Sequence, residues 1–345
     1  MAFRDLVNQD HAVLLLRSAV RAKHVAHAYL FVGPPGVGRL EAARAFAQLL
    51  NCERPVDEDA CGECRGCRLV LKGQHPDVRL VDVERGLLLD PDDTTKTFIG
   101  INQIRELRRQ VVYPPVEGGS KVYILVNADR MDRDAASSML KVLEEPPPQV
   151  VIILIAESTV PMLPTVVSRC QLVRFSLIPL PLIEKALIER HGVPPGQARF
   201  LGSLSGGQLG RAVTWATSEA ALALRERVLD LLVWFERPDL LARLDAAEEL
   251  AKDKKNLPEM LDIALFWYRD LLVWRETPDD ALLVNLDRKD AIASLAASID
   301  PAQLNDRILA VQVAKDALRR NVHPRLALEA FFLRIKPTGE PTRAK

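Results

Sequence analysis

The run Gly33-Pro34-Pro35-Gly36-Val37-Gly38-Arg39-Leu40 keeps the spacing of a phosphate-binding loop and lacks the groups that make such a loop work. A Walker A loop ends in Lys, which reaches the outer phosphates, and then in Ser or Thr, which holds Mg²⁺. Arg39 supplies a cation, but its planar fork is larger and shaped differently from an ammonium. Leu40 has no ligand atom at all. Gly33, Gly36, Gly38 and Arg39 are the candidate nucleotide contacts of a loop whose hold on nucleotide is in question. A plain Gly-Pro turn joining a strand to a helix would look the same over so short a run.

The paired acids of a nucleotide hydrolase, one for Mg²⁺ and one to orient water, are expected where the strand Lys121–Leu125 ends. Val126 and Asn127 stand there, and Asp129 lies two residues further on. This second loss is independent of the first, and together they weigh against hydrolysis. Arg169, in Val167-Ser168-Arg169-Cys170, is open to two readings. An arginine at a domain edge is ordinarily a solvated charge, but in a ring of nucleotide-dependent subunits it can reach a neighbour's γ-phosphate.

Four of the five cysteines crowd into Cys52, Cys61, Cys64 and Cys67, and Cys170 stands apart. Cys61-Gly62-Glu63-Cys64-Arg65-Gly66-Cys67 holds two overlapping C-x-x-C turns, in which glycines ease the bend. Four thiolates complete a closed tetrahedral site of the structural zinc type, with no open position for catalysis. A redox pair would leave two cysteines unexplained. An iron–sulfur cluster also takes four cysteines and is the main alternative.

The elements that must position these residues alternate. Strands are expected at Ala28–Val32, Val78–Val83, Lys121–Val126, Val150–Ala156 and Gln171–Phe175. Helices are expected at His11–Arg21, Leu40–Leu50, Asn102–Gln110 and Asp134–Glu145, the last stopped by Pro146-Pro147-Pro148. Continuous apolar strands between helices imply a parallel sheet covered on both faces, an α/β fold. The helix Leu40–Leu50 is expected to bury Leu40, Ala43, Phe46, Ala47 and Leu50. Asp90-Pro91-Asp92-Asp93 is expected to be an exposed loop. After Pro181 the strand signals end, with short helices at Leu182–His191 and Gln197–Leu204. From Ser218 to Ile335 the pattern is helical, broken near Pro238, Pro258, Pro278, Pro301 and Pro324. The expected domains are residues 1–177 with the cysteine module 52–67 inserted, a helical lid 178–216, an all-α region 217–336 and a flexible tail 337–345.

With 345 residues, Lys+Arg 46 and Asp+Glu 46, the chain has formal net charge zero, so bulk charge does not mark a nucleic-acid binder. No apolar run is long enough for a bilayer. The start Met1-Ala2-Phe3-Arg4-Asp5 lacks a signal-peptide pattern, so a cytoplasmic protein is expected.

Taken in order, several stretches closely resemble the bacterial DNA polymerase III clamp-loader subunits of the AAA+ family. They are His27-Ala28-Tyr29-Leu30-Phe31, the four-cysteine module, Ile101-Asn102-Gln103-Ile104-Arg105-Glu106, Leu140-Lys141-Val142-Leu143-Glu144-Glu145-Pro146-Pro147 and Ser168-Arg169-Cys170. The resemblance runs from about Val7 to Phe175 and continues more loosely through the lid and collar. Within that family the gamma/tau motor subunits keep intact Walker motifs, and in the delta-prime branch they have decayed; this chain is similar to the latter. The resemblance implies an AAA+ P-loop-type domain, a lid and a helical collar for oligomerisation. It implies that Arg169, with Ser168 and Cys170 in its motif, is an arginine finger offered in trans. It places Gly210 where motor subunits carry a sensor Arg, with Arg211 one residue off. It further implies a five-subunit assembly with gamma/tau and delta, which opens the sliding clamp and places it on primed DNA.

The expectation is thus a zinc-holding accessory subunit of the DNA polymerase holoenzyme that does not itself hydrolyse ATP. Its rivals are an active gamma/tau-type ATPase using Arg39 and Asp129 as substitutes, and a zinc-dependent nucleic-acid-binding module. Zero net charge and the lack of aromatic-basic interleaving stand against the last.

Overall fold

The computed structural model describes residues 2–81, 99–117, 119–236, 240–320 and 322–335. The acidic stretch Asp90–Asp93, the tail Lys336–Lys345 and the end of the expected strand Val78–Val83 lie outside them.

Strands β1 (Ala28–Val32), β2 (Val78–Val81), β3 (Lys121–Leu125), β4 (Val150–Ala156) and β5 (Gln171–Arg174) form one sheet in the order β2-β3-β4-β1-β5. Every neighbouring pair is parallel, with Ala28 opposite Ile152 and Tyr29 opposite Gln171. Parallel strands need crossovers, and the helices that make them cover both faces. On one face Tyr29, Phe31, Ile124 and Ile153 pack with α1 (Asp10–Arg21), α2 (Arg39–Leu50) and α3 (Arg65–Leu71). On the other, Leu30, Tyr123, Leu125 and Leu154 pack with α4 (Ile101–Val111), α5 (Arg133–Glu144) and α6 (Pro164–Val167).

The expected strands and long helices are present with ends shifted by one or two residues where described. The buried face of α2 is wider than its apolar pattern suggests. Ala42, Ala43, Ala45, Phe46, Ala47 and Leu49 are buried, while Leu40 and Leu50 are only partly so. The cause is that α2 touches both β4 and α3, and small alanines permit both approaches. Helices α3 and α6, of seven and four residues, were too short for a periodic signal to mark them.

By its internal contacts the chain divides into two compact units, Met1–Ala186 with Gly207–Gly210, and Leu187–Gly206 with Arg211–Lys345. The sheet lies in the first. Helix α7 (Leu180–His191) crosses the division, and so does α9 (Leu209–Thr217). The second unit holds α8 (Pro195–Leu204), α10 (Glu219–Trp234), α11 (Leu240–Ala251), α12 (Leu257–Glu276), α13 (Lys289–Ser298), α14 (Pro301–Arg319) and α15 (Pro324–Arg334). Pro258, Pro301 and Pro324 sit in the first turns of their helices, where a missing N–H leaves nothing unsatisfied. Around α12, whose Trp267, Tyr268 and Leu271 are fully buried, the core is fastened by buried arginines. Arg225 bonds Asp287 and Asn285, Arg307 pairs with Glu236, and Arg243 donates to the carbonyls of Phe235 and Ile335.

Arg211 belongs to this unit. Its Nη2 donates to Asp262 Oδ2 at 2.6 Å, and its guanidinium lies over the rings of Trp215 (5.7 Å) and Phe266 (5.4 Å). Lys315 pairs with the other oxygen of Asp262. Arg211→Ala should remove a charge-assisted hydrogen bond and a stacked cation, costing about 2–3 kcal/mol. Urea unfolding followed by tryptophan fluorescence would check this, with Arg211→Lys falling between the two because it keeps the charge and loses the stack.

Candidate functional site

At the carboxyl end of β1 the chain turns through Gly33 and enters α2 by way of Gly38. Gly36 and Gly38 have φ of 70° and 103°, left-handed values that favour glycine. At Gly33 the demand is space, because a Cβ there would lie 2.5 Å from the Phe175 carbonyl oxygen. Arg39, the first residue of α2, donates Nη1 to the carbonyl of Ala156 at the end of β4. Gly33 N–H reaches the same oxygen at 3.4 Å. Burial pulls the Arg39 guanidinium below its ordinary value, while the nearby carboxylates of Glu157, Asp129 and Glu41 push it back. The loop's one cation is therefore tied to the end of a neighbouring strand.

The remaining positions of a nucleotide site are filled by packing. Leu40 and Val126 lean on the core beneath α2. Asn127 takes a left-handed turn, φ 58°, that starts the short turn Ala128–Arg130. Asp129 Oδ2 accepts the Glu157 N–H at 3.3 Å and so fixes the exit of β4. Gly210 N–H donates to the Gly36 carbonyl at 2.8 Å, and a Cβ on Gly210 would sit 3.0 Å from Gly36 Cα. A side chain at 210 would have to force these two main chains apart.

The cysteine cluster hangs from the end of α2. Asp57 and Glu58 both have positive φ and form a two-residue turn, bridged by Val56 and Asp59, that folds Cys52 back toward Cys61. The Sγ atoms of Cys52, Cys61, Cys64 and Cys67 all lie within 4.8 Å of one another, and Cys61 and Cys67 are 4.0 Å apart. Tetrahedral zinc with Zn–S of about 2.3 Å sets sulfurs about 3.8 Å apart, so the group is shaped for a metal ion. Backbone N–H groups point at the sulfurs, Cys61 to Cys52 at 3.4 Å, Cys64 to Cys61 at 3.3 Å and Cys67 to Cys64 at 3.4 Å. Such donors favour thiolate, and those of Cys64 and Glu63 bring Cys61 down to about 6, whereas burial pushes Cys67 up.

Several residues that build this module carried no sequence signal. Asp59, almost fully buried, accepts from the backbone N–H groups of Phe3 and Arg4 and pairs with Arg17 at 3.0 Å, tying the module to the N-terminus and α1. Gln48 donates to the Cys67 carbonyl at 3.0 Å. Of the two glycines, only Gly62 has a positive φ, 79°. The expectation that both ease the bend fails at Gly66, which instead permits close approach. A Cβ there would lie 2.5 Å from the Asn51 carbonyl oxygen.

Arg169 follows the single turn of α6. Its Nη1 donates to the Thr165 carbonyl at 2.9 Å, and its Nη2 pairs with Glu144 Oε1 at 2.9 Å. Its side chain keeps 36% of its surface exposed. Ser168 caps the same turn through Thr165, and Cys170 packs into the core behind α5, where burial pushes its thiol up to about 12.

A family model described as DNA polymerase III, delta subunit, matches residues 8–179, and one described as its C terminal matches residues 219–336. The DNA polymerase III subunit delta-prime of Bacillus subtilis (strain 168) is 31% identical over 331 residues, covering 95% of this chain and 96% of that protein. Subunit tau of the same strain is 27% identical over 365 residues; the alignment takes in 99% of this chain and 62% of tau, so the chain spans less than two-thirds of that relative. Subunit delta-prime of Pseudomonas aeruginosa is 41% identical over 150 residues, 44% of this chain and 43% of that protein.

Gly66→Ala should lower stability by about 1–3 kcal/mol, the usual range for overpacking, because the Asn51 carbonyl must move off the end of α2. Gly196→Ala, at an open helical position with nothing within 4 Å of the new methyl and no positive φ, is the comparison for a glycine that meets no neighbour. Thermal unfolding of the two variants would show whether the close approach matters.

Proposed function

The chain belongs to the DNA polymerase III delta-prime subunit family, and from that membership we propose that it is a non-hydrolysing AAA+ scaffold within a clamp loader. In this reading it joins gamma/tau and delta subunits through the helical region that follows Ser218. The assembly opens the sliding clamp and places it on primed DNA. The observation that carries the reading is the tie between Arg39 and Ala156, beside a loop that has Leu40 at the Mg²⁺ position. The loop keeps its form, and its cation is engaged within the fold. With Val126 and Asn127 in place of acids, the two positions that ordinarily hold metal and activate water carry no carboxylate.

Arg169 is then the part of this chain that acts on nucleotide, as a finger toward the γ-phosphate held by an adjacent motor subunit. Its partial exposure and its motif support this. Such a finger in trans is worth about 10³–10⁵ in rate at the site it serves. The cysteine cluster holds one structural zinc ion. Cys52, Cys61, Cys64 and Cys67 would be its ligands, and the spacing and N–H···S contacts of the four sulfurs support the assignment. The ion would supply cross-linking and no catalysis.

In an assembled clamp loader, Arg169→Ala should leave subunit incorporation intact and lower the clamp- and DNA-stimulated ATPase severalfold. The loss should be partial, since only one motor site would lack its finger. Arg169→Lys should fail to restore it, because a point ammonium lacks the fork. An unchanged rate in a fully assembled Arg169→Ala complex would remove the finger. Steady-state hydrolysis by the purified chain alone should be absent.

Elemental analysis should find one zinc per chain. Cys64→Ser should release it and lower the unfolding midpoint, because binding energy at such sites is folding energy. Cys170→Ser should leave the metal content unchanged, and zinc lost from that variant would overturn the ligand assignment.

A further inference from the structure

We propose that Glu144 is the positioning residue for Arg169, fixing the guanidinium to the sheet so that it is presented in one orientation. The inference rests on the finger reading above and adds to it a residue that acts only through the finger.

Arg169 has little local support of its own. It follows α6, a helix of four residues, and its Thr165 contact is to the same turn, so that bond moves with the arginine. That turn is itself packed on α5 through the buried Val166, and the guanidinium reaches beyond it through Nη2, which donates to Glu144 Oε1 at 2.9 Å. Glu144 is the last residue of α5, and α5 is firmly seated, with Ala135, Met139, Val142 and Leu143 buried against β3 and β4. The carboxylate therefore refers the guanidinium to α5 and the core beneath it, beyond its own turn.

The geometry suits holding and not consuming. A guanidinium carries five N–H donors, and the two contacts use one on each terminal nitrogen. The Arg169 and Glu144 side chains retain 36% and 49% of their exposure, so the pair is a surface ion pair that contributes little to stability. Its effect is on direction. A catalytic group misplaced by about 1 Å can lose about 10²-fold in rate, which makes a weak bond at the right place consequential.

The test uses the chain assembled with its gamma/tau and delta subunits, and measures clamp- and DNA-stimulated ATPase for four variants. Glu144→Ala should lower kcat severalfold with KM unchanged, the signature of an interaction felt in the transition state. Glu144→Gln should recover most of the rate, because its carboxamide oxygen accepts the same N–H. The double variant Arg169→Ala/Glu144→Ala should be no slower than Arg169→Ala, since residues acting as one unit are not additive. The isolated variants should unfold within a few degrees of the unmodified chain. A slowed Arg169→Ala beside an unchanged or faster Glu144→Ala would overturn the positioning role and leave the finger standing. An unchanged Arg169→Ala would remove both. Failure of Glu144→Gln to rescue would assign the effect to charge and end the orientation argument.

Discussion

Strand β1 is hydrogen-bonded to β4 on one side and to β5 on the other, and helices cover both of its faces, so Ala28, Tyr29, Leu30 and Phe31 are all buried. A strand so enclosed can carry no chemistry along its length. Whatever polar work the domain does must be moved to the carboxyl ends of the strands, where the backbone leaves the sheet. That edge is also where β4 ends in an acceptor beyond the strand pairing, the Ala156 carbonyl, and where Phe175 leaves β5 close against Gly33. The form of the loop follows from these neighbours. Gly33 is needed because Phe175 occupies the space, and Gly36 and Gly38 because the chain must reverse before α2 can begin. None of these demands involves a phosphate. A loop of this shape therefore holds its form without a lysine, and Arg39 has a structural task in it. Its guanidinium satisfies the end of β4 and adds one more link between the loop and the sheet.

The strands and long helices were legible because each has a local signature: continuous apolar runs for enclosed strands, caps and prolines for helix ends. The cysteine group was legible for a related reason, since C-x-x-C spacing is itself a local geometric statement. What escaped the sequence was every partner that lies far along the chain. Asp59 looks like one more acid in a polar loop, yet it gathers Phe3, Arg4 and Arg17. Asp262 and Glu144 sit on helices where an acid is commonplace, and only the folded chain sets them against Arg211 and Arg169. Gly66 was noticed for the wrong property, because a glycine chosen for room and one chosen for a positive φ cannot be told apart as letters. The breadth of the α2 interface was missed because alanine is nearly silent in an apolar pattern, although it is the residue that allows two elements to approach one helix.

The cysteine module illustrates how little core a small insertion can supply for itself. Between Asn51 and the end of α3 the described fold offers one two-residue turn and one short helix, and the module's fully buried side chains are few. Its order comes from outside, through Asp59 to the N-terminus and Gln48 to the Cys67 carbonyl, and from inside through the four sulfurs. An insertion of this kind is below the size at which hydrophobic burial alone holds a unit together. A metal cross-link at its centre is the expected physical remedy, and the close fit of Gly66 against Asn51 then transmits that rigidity to α2.

The arginines divide by what their guanidinium groups have left to offer. Arg225, Arg243 and Arg307 are buried and bonded to carboxylates or carbonyls inside the second unit, where an unpaired charge would be severely destabilising. Arg39 and Arg211, which stand in or beside positions that the family resemblance associates with nucleotide, are likewise committed, one to Ala156 and the other to Asp262 between two aromatic rings. For either to meet a phosphate, the fold would first have to give up an interaction already made. Arg169 is placed differently. It keeps a third of its side-chain surface, and its partner is a half-exposed carboxylate, so exchanging or sharing that contact carries a small desolvation term. On the proposed reading, Arg39 and Arg211 are held inside the fold, and Arg169 is the arginine left to meet a nucleotide that another subunit holds.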